Sequence, residues 1–347
     1  MLYKLGQLVK YSNSKINTNN LNPSKYISTE NMLPNIQGIV KSSNVPENIN
    51  VCKFENSNIL LSNIRPYFHK LYFPTFTGGC SNDVLCFNVI DSQLTLPKYL
   101  YYMMSTTSFI DYVVSTSKGT KMPRGDKNAI LDYTFNVVPF DQQLLIVDII
   151  GSLDDKIENN NKIIDKLWQK LQLIHTDFKS KNELVEKNIL ELADIKYGKG
   201  IPTSEILKDG LYSVYGSNGI IGYLNNYTFK EHKIAISCRG NSSGIIHLTD
   251  ENSTVTSNSL VLDFKNFDYT YYFFLEFMYK GLYEYKTGSA QPQITIDNLK
   301  NLNLQVPKNI NDYIKNINDS VKYTFCLKKE NQKLFLLKQF YLKKFFG

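Results

Sequence analysis

The sequence predicts an α+β protein built from two copies of a β-rich unit, each followed by a long helix. Three observations predict it. Between residues 146 and 178, Ile146, Ile150, Leu153, Ile157, Ile164, Leu167, Leu171, Ile174 and Phe178 fall on a 4-3-4 apolar rhythm, broken only at the polar Asn160. A stripe so narrow suits a coiled-coil seam rather than the broader face of a core helix. The segments on either side of it share landmarks in the same order. Finally, the C-terminal segment repeats the rhythm: at an offset of 170, Leu327, Leu334, Leu337 and Tyr341 fall opposite Ile157, Ile164, Leu167 and Leu171, and Glu330 stands where Asn160 does. The expected division is 1–142 and 186–308 for the two units, with 143–185 and 309–347 for the two helices. Paired with each other, the helices bury both seams, and a polar residue within such a seam fixes register at some cost in stability.

The first unit opens on Leu5-Gly-Gln-Leu-Val-Lys, crosses a polar stretch over 11–23, and reaches Lys25-Tyr-Ile-Ser-Thr-Glu-Asn-Met. Apolar runs at Ile59–Ser62 and Val84–Val89 predict strands, with Asn63-Ile-Arg-Pro-Tyr and a Gly78-Gly79 turn between them. Residues 96–114, with Tyr99, Tyr102, Phe109 and Tyr112 near helical spacing, predict one helix. A basic loop follows, Ser117-Lys-Gly-Thr-Lys-Met-Pro-Arg-Gly-Asp-Lys, and a strand-like Thr134-Phe-Asn-Val-Val-Pro closes the unit. The second unit repeats the order. Leu192-Ala-Asp-Ile-Lys matches Leu5-Gly-Gln-Leu-Val at 187, and Ile234-Ala-Ile-Ser-Cys-Arg matches 59–65 at about 174, which pairs Arg239 with Arg65. Ser257-Asn258 matches Ser81-Asn82 at 176. An aromatic helix over 269–285 then leads to Thr287-Gly-Ser-Ala-Gln-Pro-Gln, which matches the first glycine loop at 169.

Composition narrows the functional classes. Five scattered cysteines, odd in number and without a C-x-x-C pair, disfavour a zinc site and suit a reducing cytoplasm. No signal peptide opens the chain and no apolar run approaches the ~18 residues of a membrane span, so a cytoplasmic protein without a membrane partner is expected. The net charge of +7 is uneven: +4 over 1–142, −1 over each of 143–185 and 186–308, and +5 over 309–347. That permits an acidic polymer as a partner without demonstrating one.

The loops carry the candidate contacts. Lys118, Thr120, Lys121, Arg124 and Lys127 surround Gly119 and Gly125, with Pro123 stiffening the turn. Such a loop approaches a phosphate backbone closely while its cations displace counterions. The second copy replaces most of that charge with Gln291 and Gln293, beside Ser289 and Lys286; Gln pairs with adenine, and Arg or Lys with guanine, in a major groove. Arg65 and Arg239 are two of only three arginines, which points to planar hydrogen bonding to DNA or equally to a structural carboxylate. Lys70, and Ser217 and Asn218 in the glycine-rich run 214–223, and Asn241 beside Arg239, complete the candidate set. Neither glycine run is a phosphate-cradling loop, since no Gly-Lys-Ser/Thr closes it. No catalytic or metal-binding constellation is present: His69, His175, His232 and His247 have no recurring partners, and Asp154, Asp155 and Glu158 read as the solvated face of a helix.

Four stretches together resemble the specificity subunit of type I restriction–modification enzymes: Tyr26-Ile-Ser-Thr-Glu-Asn with Leu60-Leu-Ser-Asn-Ile-Arg-Pro-Tyr; 214–223 with Cys238-Arg-Gly-Asn; Gly151-Ser-Leu-Asp-Asp-Lys-Ile-Glu-Asn-Asn-Asn-Lys; and Leu337-Lys-Gln-Phe-Tyr-Leu. Their order covers nearly the whole chain. The resemblance implies two target-recognition domains, each reading half of a bipartite double-stranded DNA site, in a pseudo-two-fold arrangement on an antiparallel coiled coil. In that coil Ile150, Leu153, Ile157, Asn160, Ile164, Leu167 and Leu171 face Leu327, Leu334, Leu337 and Tyr341. It implies two modification subunits that bring S-adenosylmethionine and methylate adenine, and a separate ATP- and Mg2+-dependent translocase in a restricting complex. This chain itself is then non-catalytic and cofactor-free. The competing class is a coiled-coil interaction protein displaying two β-rich domains to protein or glycan; a steep salt dependence of binding separates the two.

Overall fold

The computed structural model describes residues 1–288 and 291–347, with Tyr279 described by its backbone alone. It divides into two compact units, Met1–Asn159 with Asn331–Gly347, and Asn160–Glu330. Each unit therefore owns part of both long helices, rather than the helices standing as separate segments.

In unit 1 the chain order is β1 (Leu2–Lys4), β2 (Val9–Tyr11), β3 (Lys15–Asn17), β4 (Tyr26–Ile27), β5 (Asn50–Phe54), β6 (Ile59–Ser62), β7 (Leu71–Tyr72), β8 (Gly78–Cys80) and β9 (Val84–Val89). Then follow α1 (Pro97–Met104), α2 (Thr107–Ser115), α3 (Lys127–Asp132), β10 (Thr134–Asn136) and α4 (Phe140–Lys181). One sheet runs β2-β9-β6-β7 and a second runs β3-β5-β8-β4, while β1 pairs with β10. The uninterrupted apolar runs of β6 and β9 have a direct cause, because both faces are buried. Ile59, Leu61, Leu85 and Phe87 enter the core against α1 and α2, whereas Leu60, Val84 and Cys86 enter a smaller core with Ile27 and Phe54. The single helix expected over 96–114 is two. The Thr106 hydroxyl accepts from the Phe109 N–H at 3.3 Å and starts α2 afresh.

Unit 2 contains β11 (Leu184–Asn188), α5 (Ile189–Leu192), β12 (Ala193–Tyr197), β13 (Tyr212–Gly216), β14 (Gly219–Leu224), β15 (Ile234–Ser237), β16 (Ile246–Leu248), β17 (Thr254–Val255) and β18 (Ser259–Phe264). α6 (Asp268–Lys280), α7 (Ile296–Leu299), β19 (Asn303–Pro307) and the first part of α8 (Asn311–Phe346) complete it. Its main sheet, β12-β18-β15-β16, has the order of the first. The registers fix the equivalence: Ile59 faces Phe87 as Ile234 faces Leu262, and Leu61 faces Leu71 as Ile236 faces Ile246, all at an offset of 175. At the start, Lys4 faces Thr134 as Asn188 faces Asn303. Leu5 thus corresponds to Ile189 and not to Leu192, a slip of three residues, which is one turn of the short helix and keeps the same face.

The two long helices run antiparallel. In unit 2, Asn160 Nδ2 donates to Glu330 Oε2 at 2.8 Å, and His175 Nδ1 lies 2.9 Å from the Tyr313 hydroxyl. Asn160 is fully buried, so the polar break in one seam meets the polar break in the other. Of the expected seam residues, Ile150, Ile164, Leu171 and Leu327 are buried, and Leu153, Ile157, Leu167, Leu334 and Tyr341 are half-buried. Leu337 is a correction, since it is 41% exposed. The inward position is Lys338, whose aliphatic stem is buried while its ammonium reaches Asp154 Oδ1 at 2.6 Å, with the Tyr102 hydroxyl donating to Asp154 Oδ2 at 3.0 Å. A lysine stem serves an apolar seam when a carboxylate takes its head.

Unit 2 anchors its helices through Glu276 on α6. Its carboxylate receives Lys179 at 2.6 Å and Lys280 at 2.9 Å, and lies 3.0 Å from His175 Nε2. Burial works to raise the Glu276 carboxyl, but the donors from His175, Lys179 and Lys280 outweigh it and hold it well below the usual range. A depressed carboxyl stabilises the fold above its unfolded value of 4.5 and loses that contribution as pH falls below it. Glu276→Gln is expected to lower unit 2's stability near neutrality and to flatten its dependence on pH between about 6 and 3. Urea titrations across that range check it.

Candidate nucleic-acid interface

In unit 1 the basic loop is a short hairpin. Lys118 and Arg124 exchange both backbone hydrogen bonds at 2.8 Å, and Gly119 takes the left-handed corner with a φ of 98°. The hairpin lies against the turn that leaves β6: the Arg65 N–H donates to Pro123 O at 2.8 Å, and the Gly125 N–H donates to Asn63 O at 3.2 Å. Unit 2 builds the same device. Thr287 and Gln293 exchange both bonds at 2.9 Å, Gly288 has a φ of 85°, the Gly240 N–H donates to Pro292 O at 2.9 Å, and the Ile294 N–H donates to Cys238 O at 3.0 Å.

This lock corrects the pairing of the arginines. Arg65 corresponds to Gly240, since both donate to the hairpin proline and both have positive φ, at 49° and 69°. Arg239 corresponds to Ile64, as each bridges the last residue of its hairpin, Gln293 and Arg124 respectively. The two arginines share a neighbourhood but not a position, because the match at 174 falls one residue short of the register of the strands.

The candidate residues sort clearly. Thr120 and Lys121 are exposed at the tip of the first hairpin, and Arg65 is exposed on the adjoining turn. Arg124 and Lys118 are held by carboxylates, Arg124 on Asp83 at 3.0 Å and Lys118 on Asp126 at 2.5 Å. The Lys118 side chain and the backbone N–H groups of Ala129 and Asn128 together keep the Asp126 carboxyl below its ordinary range. These pairs are exposed and worth little to stability; they aim the cations. Lys70 and Lys127 are engaged elsewhere: Lys70 Nζ donates to Thr29 O at 2.6 Å, and Lys127 Nζ sits 5.9 Å from the Tyr11 ring. In unit 2, Arg239, Asn241, Gln291 and Gln293 are exposed together on hairpin and turn. Ser217 and Asn218 join them from the β13–β14 corner, where Ser242 Oγ donates to Asn218 Oδ1 at 2.5 Å and Ser237 Oγ donates to Ser217 O. Lys286 Nζ lies 4.6 Å from the Tyr283 ring. Ser289 lies outside the described residues.

Sequence reasoning did not single out Asp83, Asp126 or Ser242, nor the exposed rings of Tyr67 and Phe68 beside Arg65. The signal for the acids was their one-residue distance from Asn82 and Gly125; nothing in the sequence alone marks Tyr67 and Phe68 as exposed. Cys52, facing Cys80 across β5 and β8, shares a buried core cluster with Cys80 and Cys86. Among the described residues no group of three or more His, Cys, Asp or Glu is placed to hold a metal ion, and no helix is long and apolar enough to cross a membrane.

Two modules that share one backbone lock and display different side chains from it define a duplicated protein. The chain belongs to the type I restriction modification DNA specificity domain family, whose model matches residues 1–169 and 181–338. The chain is 28% identical over 181 residues to the type I restriction enzyme HindI specificity subunit of Haemophilus influenzae; the match spans half of this chain and 39% of that protein. The fold is that of the type I restriction–modification S subunit from M. genitalium, matched over 100% of this chain and 96% of that one at a TM-score of 0.61 and 17% identity. The HsdS subunit from Thermoanaerobacter tengcongensis aligns over 99% and 95% at 15% identity, with a TM-score of 0.39.

The two turns differ in how they meet their positive-φ corners. Unit 1 places Arg65 and His69 there, at 49° and 51°, where unit 2 places Gly240 and Gly244, at 69° and 88°. A left-handed L-residue costs about 1–2 kcal/mol, offset by about 0.5–1 kcal/mol of glycine's greater chain entropy. His69→Gly is therefore expected to hold or raise stability by up to about 1 kcal/mol. Gly244→Ala should lower it, since its Cβ meets Tyr283 Cδ1 at 3.1 Å in addition to the strained φ. Thermal melts of the two variants check the opposite signs.

Proposed function

We propose that each unit reads one half of an asymmetric, bipartite double-stranded DNA site through its hairpin and adjoining turn. The paired helices dock two modification subunits. Those partners carry S-adenosylmethionine and the methylation chemistry, and in a restricting complex a further subunit uses ATP and Mg2+. The observation that carries this reading is the repeated lock: equivalent backbone hydrogen bonds frame Lys118, Lys121 and Arg124 in one unit and Thr287, Gln291 and Gln293 in the other. A conserved frame with variable display is what reading two different base sequences requires, since phosphate contacts position and base contacts specify.

The chemistry of each hairpin suits this division. Unit 1's cations neutralise phosphates and can pair with guanine, while the glutamines of unit 2 offer both donor and acceptor to adenine. The weak net charge of 186–308 favours hydrogen bonding over bulk attraction as the source of unit 2's specificity.

Mapping methylated adenines in the source genome, with and without this gene, should reveal one bipartite motif whose methylation needs the chain. Against a duplex of that motif, Lys121→Ala should weaken binding evenly across sequences and lower the salt slope by about 1. Gln293→Ala should instead cost about 1–3 kcal/mol and relax specificity at a position of one half only. Unaltered genomic methylation without the gene contradicts the reading.

A further inference from the structure

The turns that follow β6 and β15 are alike in length, in their first hydrogen bond and in the sign of φ at both corners. The Phe68 N–H donates to Arg65 O and the Ser243 N–H donates to Gly240 O, each at 3.0 Å, and both corners of each turn lie at positive φ. Unit 2 meets that geometry with glycine at both corners and with Asn241, Ser242 and Ser243 between them. Its tip is polar and tied sideways, through Ser242 to Asn218.

Unit 1 holds the same path with residues that resist it. Arg65 and His69 occupy the two corners, and Pro66 follows the first. Backbone strain of this kind persists only where the surroundings over-determine it, and it gathers at functional sites. Here the constraints are visible: Pro66 is buried, the Arg65 N–H is bonded to Pro123 O, and His69 O accepts from the Ile36 N–H at 2.9 Å. What the rigid turn presents is a pair of aromatic rings. Tyr67 is 48% exposed and Phe68 is 38% exposed, with their centroids 4.8 Å apart. Adjacent aromatic rings left in water on a fixed support are an informative exposure, unlike a scattered apolar side chain.

The surroundings identify what covers the rings. Arg65 is part of the turn, Lys70 Nζ lies 5.8 Å from the Phe68 ring, and the hairpin bearing Lys118, Lys121 and Arg124 is bonded directly to it. An occupant must offer flat apolar faces flanked by negative charge. Stacked bases between phosphate backbones offer both, and apolar side chains on rigid supports wedge between base steps and kink the duplex. We propose that Tyr67 and Phe68 form a wedge that opens one base step in the half-site read by unit 1, and that unit 2 reads its half without one. The proposal rests on the DNA-reading function above. It also assigns part of the asymmetry between the half-sites to deformability: the opened step is of the pyrimidine–purine kind, which unstacks most easily.

The test uses the full chain in its assembled complex and duplexes of the methylation-mapped site, with 2-aminopurine substituted in turn at each adenine except the methylated ones, which methylation itself draws out of the stack. With wild type, fluorescence should rise several-fold at one step of the unit 1 half and stay flat throughout the other half. Tyr67→Ala/Phe68→Ala should abolish the rise and weaken binding about tenfold or more, consistent with the loss of base–aromatic stacking, without changing the salt slope. Tyr67→Phe/Phe68→Tyr should retain the rise. Because both rings are exposed, the alanine variant should melt with wild type. A bound wild-type complex with no rise in the unit 1 half overturns the wedge, and so does a rise that survives the double alanine substitution. Loss of partner subunits from the alanine variant, with the fluorescence rise unchanged, assigns the rings to a protein contact and also overturns it. Failure of the wild-type complex to bind the duplex at all removes the DNA reading itself, and the wedge with it.

Discussion

A backbone hydrogen bond from a positive-φ corner to a hairpin proline, Arg65 to Pro123 and Gly240 to Pro292, is the constraint on which each proposed recognition surface depends. It is made entirely by main chain, so it survives changes of side chain. The strand before the turn is clamped inside a four-stranded sheet with both faces buried, which fixes where the turn emerges. The hairpin is closed by its own pair of bonds. What remains variable is the side chains displayed, and the two units display very different ones from frames closed by the same backbone hydrogen bonds.

Core packing explains why the frame is stable enough to carry strain. In unit 1, alternate residues of β6 and β9 serve two cores, so neither strand can slip without turning its apolar set the wrong way. In unit 2 the fully buried Tyr272 and Tyr313, with His175 and Glu276, bind α6 to both long helices. The helices are set by polar contacts as much as by the apolar seam. Asn160 meets Glu330 and Lys338 meets Asp154, and each such pair is satisfied in one register only.

Much of this was legible in the sequence because the signals were periodic. The strands over Ile59–Ser62 and Val84–Val89, the two long helices, and the equivalence of Asn160 and Glu330 follow from apolar rhythm and from a polar break at matching places in the repeat; that the two side chains meet is shown only by the structure. What was illegible has specific causes. Leu337 reads as seam and Lys338 as surface, because composition does not show that a half-buried carboxylate, Asp154, waits for the ammonium. Leu192 was matched to Leu5 in place of Ile189, because residues three apart on a helical turn share a face. Arg239 was matched to Arg65 because identity outweighed register, and only the positive φ shared by Arg65 and Gly240 corrects it. Tyr67 and Phe68 sit in a chain rich in buried aromatics, where nothing but the fold shows which rings face water.

The most direct measurement of the central claim is a graft within the full chain. Unit 2's turn, 240–244, and hairpin, 286–294, replace 65–69 and 117–125 in unit 1, and the methylated sites are then mapped. If the lock is a common frame for interchangeable readers, the half-site assigned to unit 1 changes while the other half is kept. A grafted chain that assembles, supports methylation and still directs it to the original two half-sites would contradict the account.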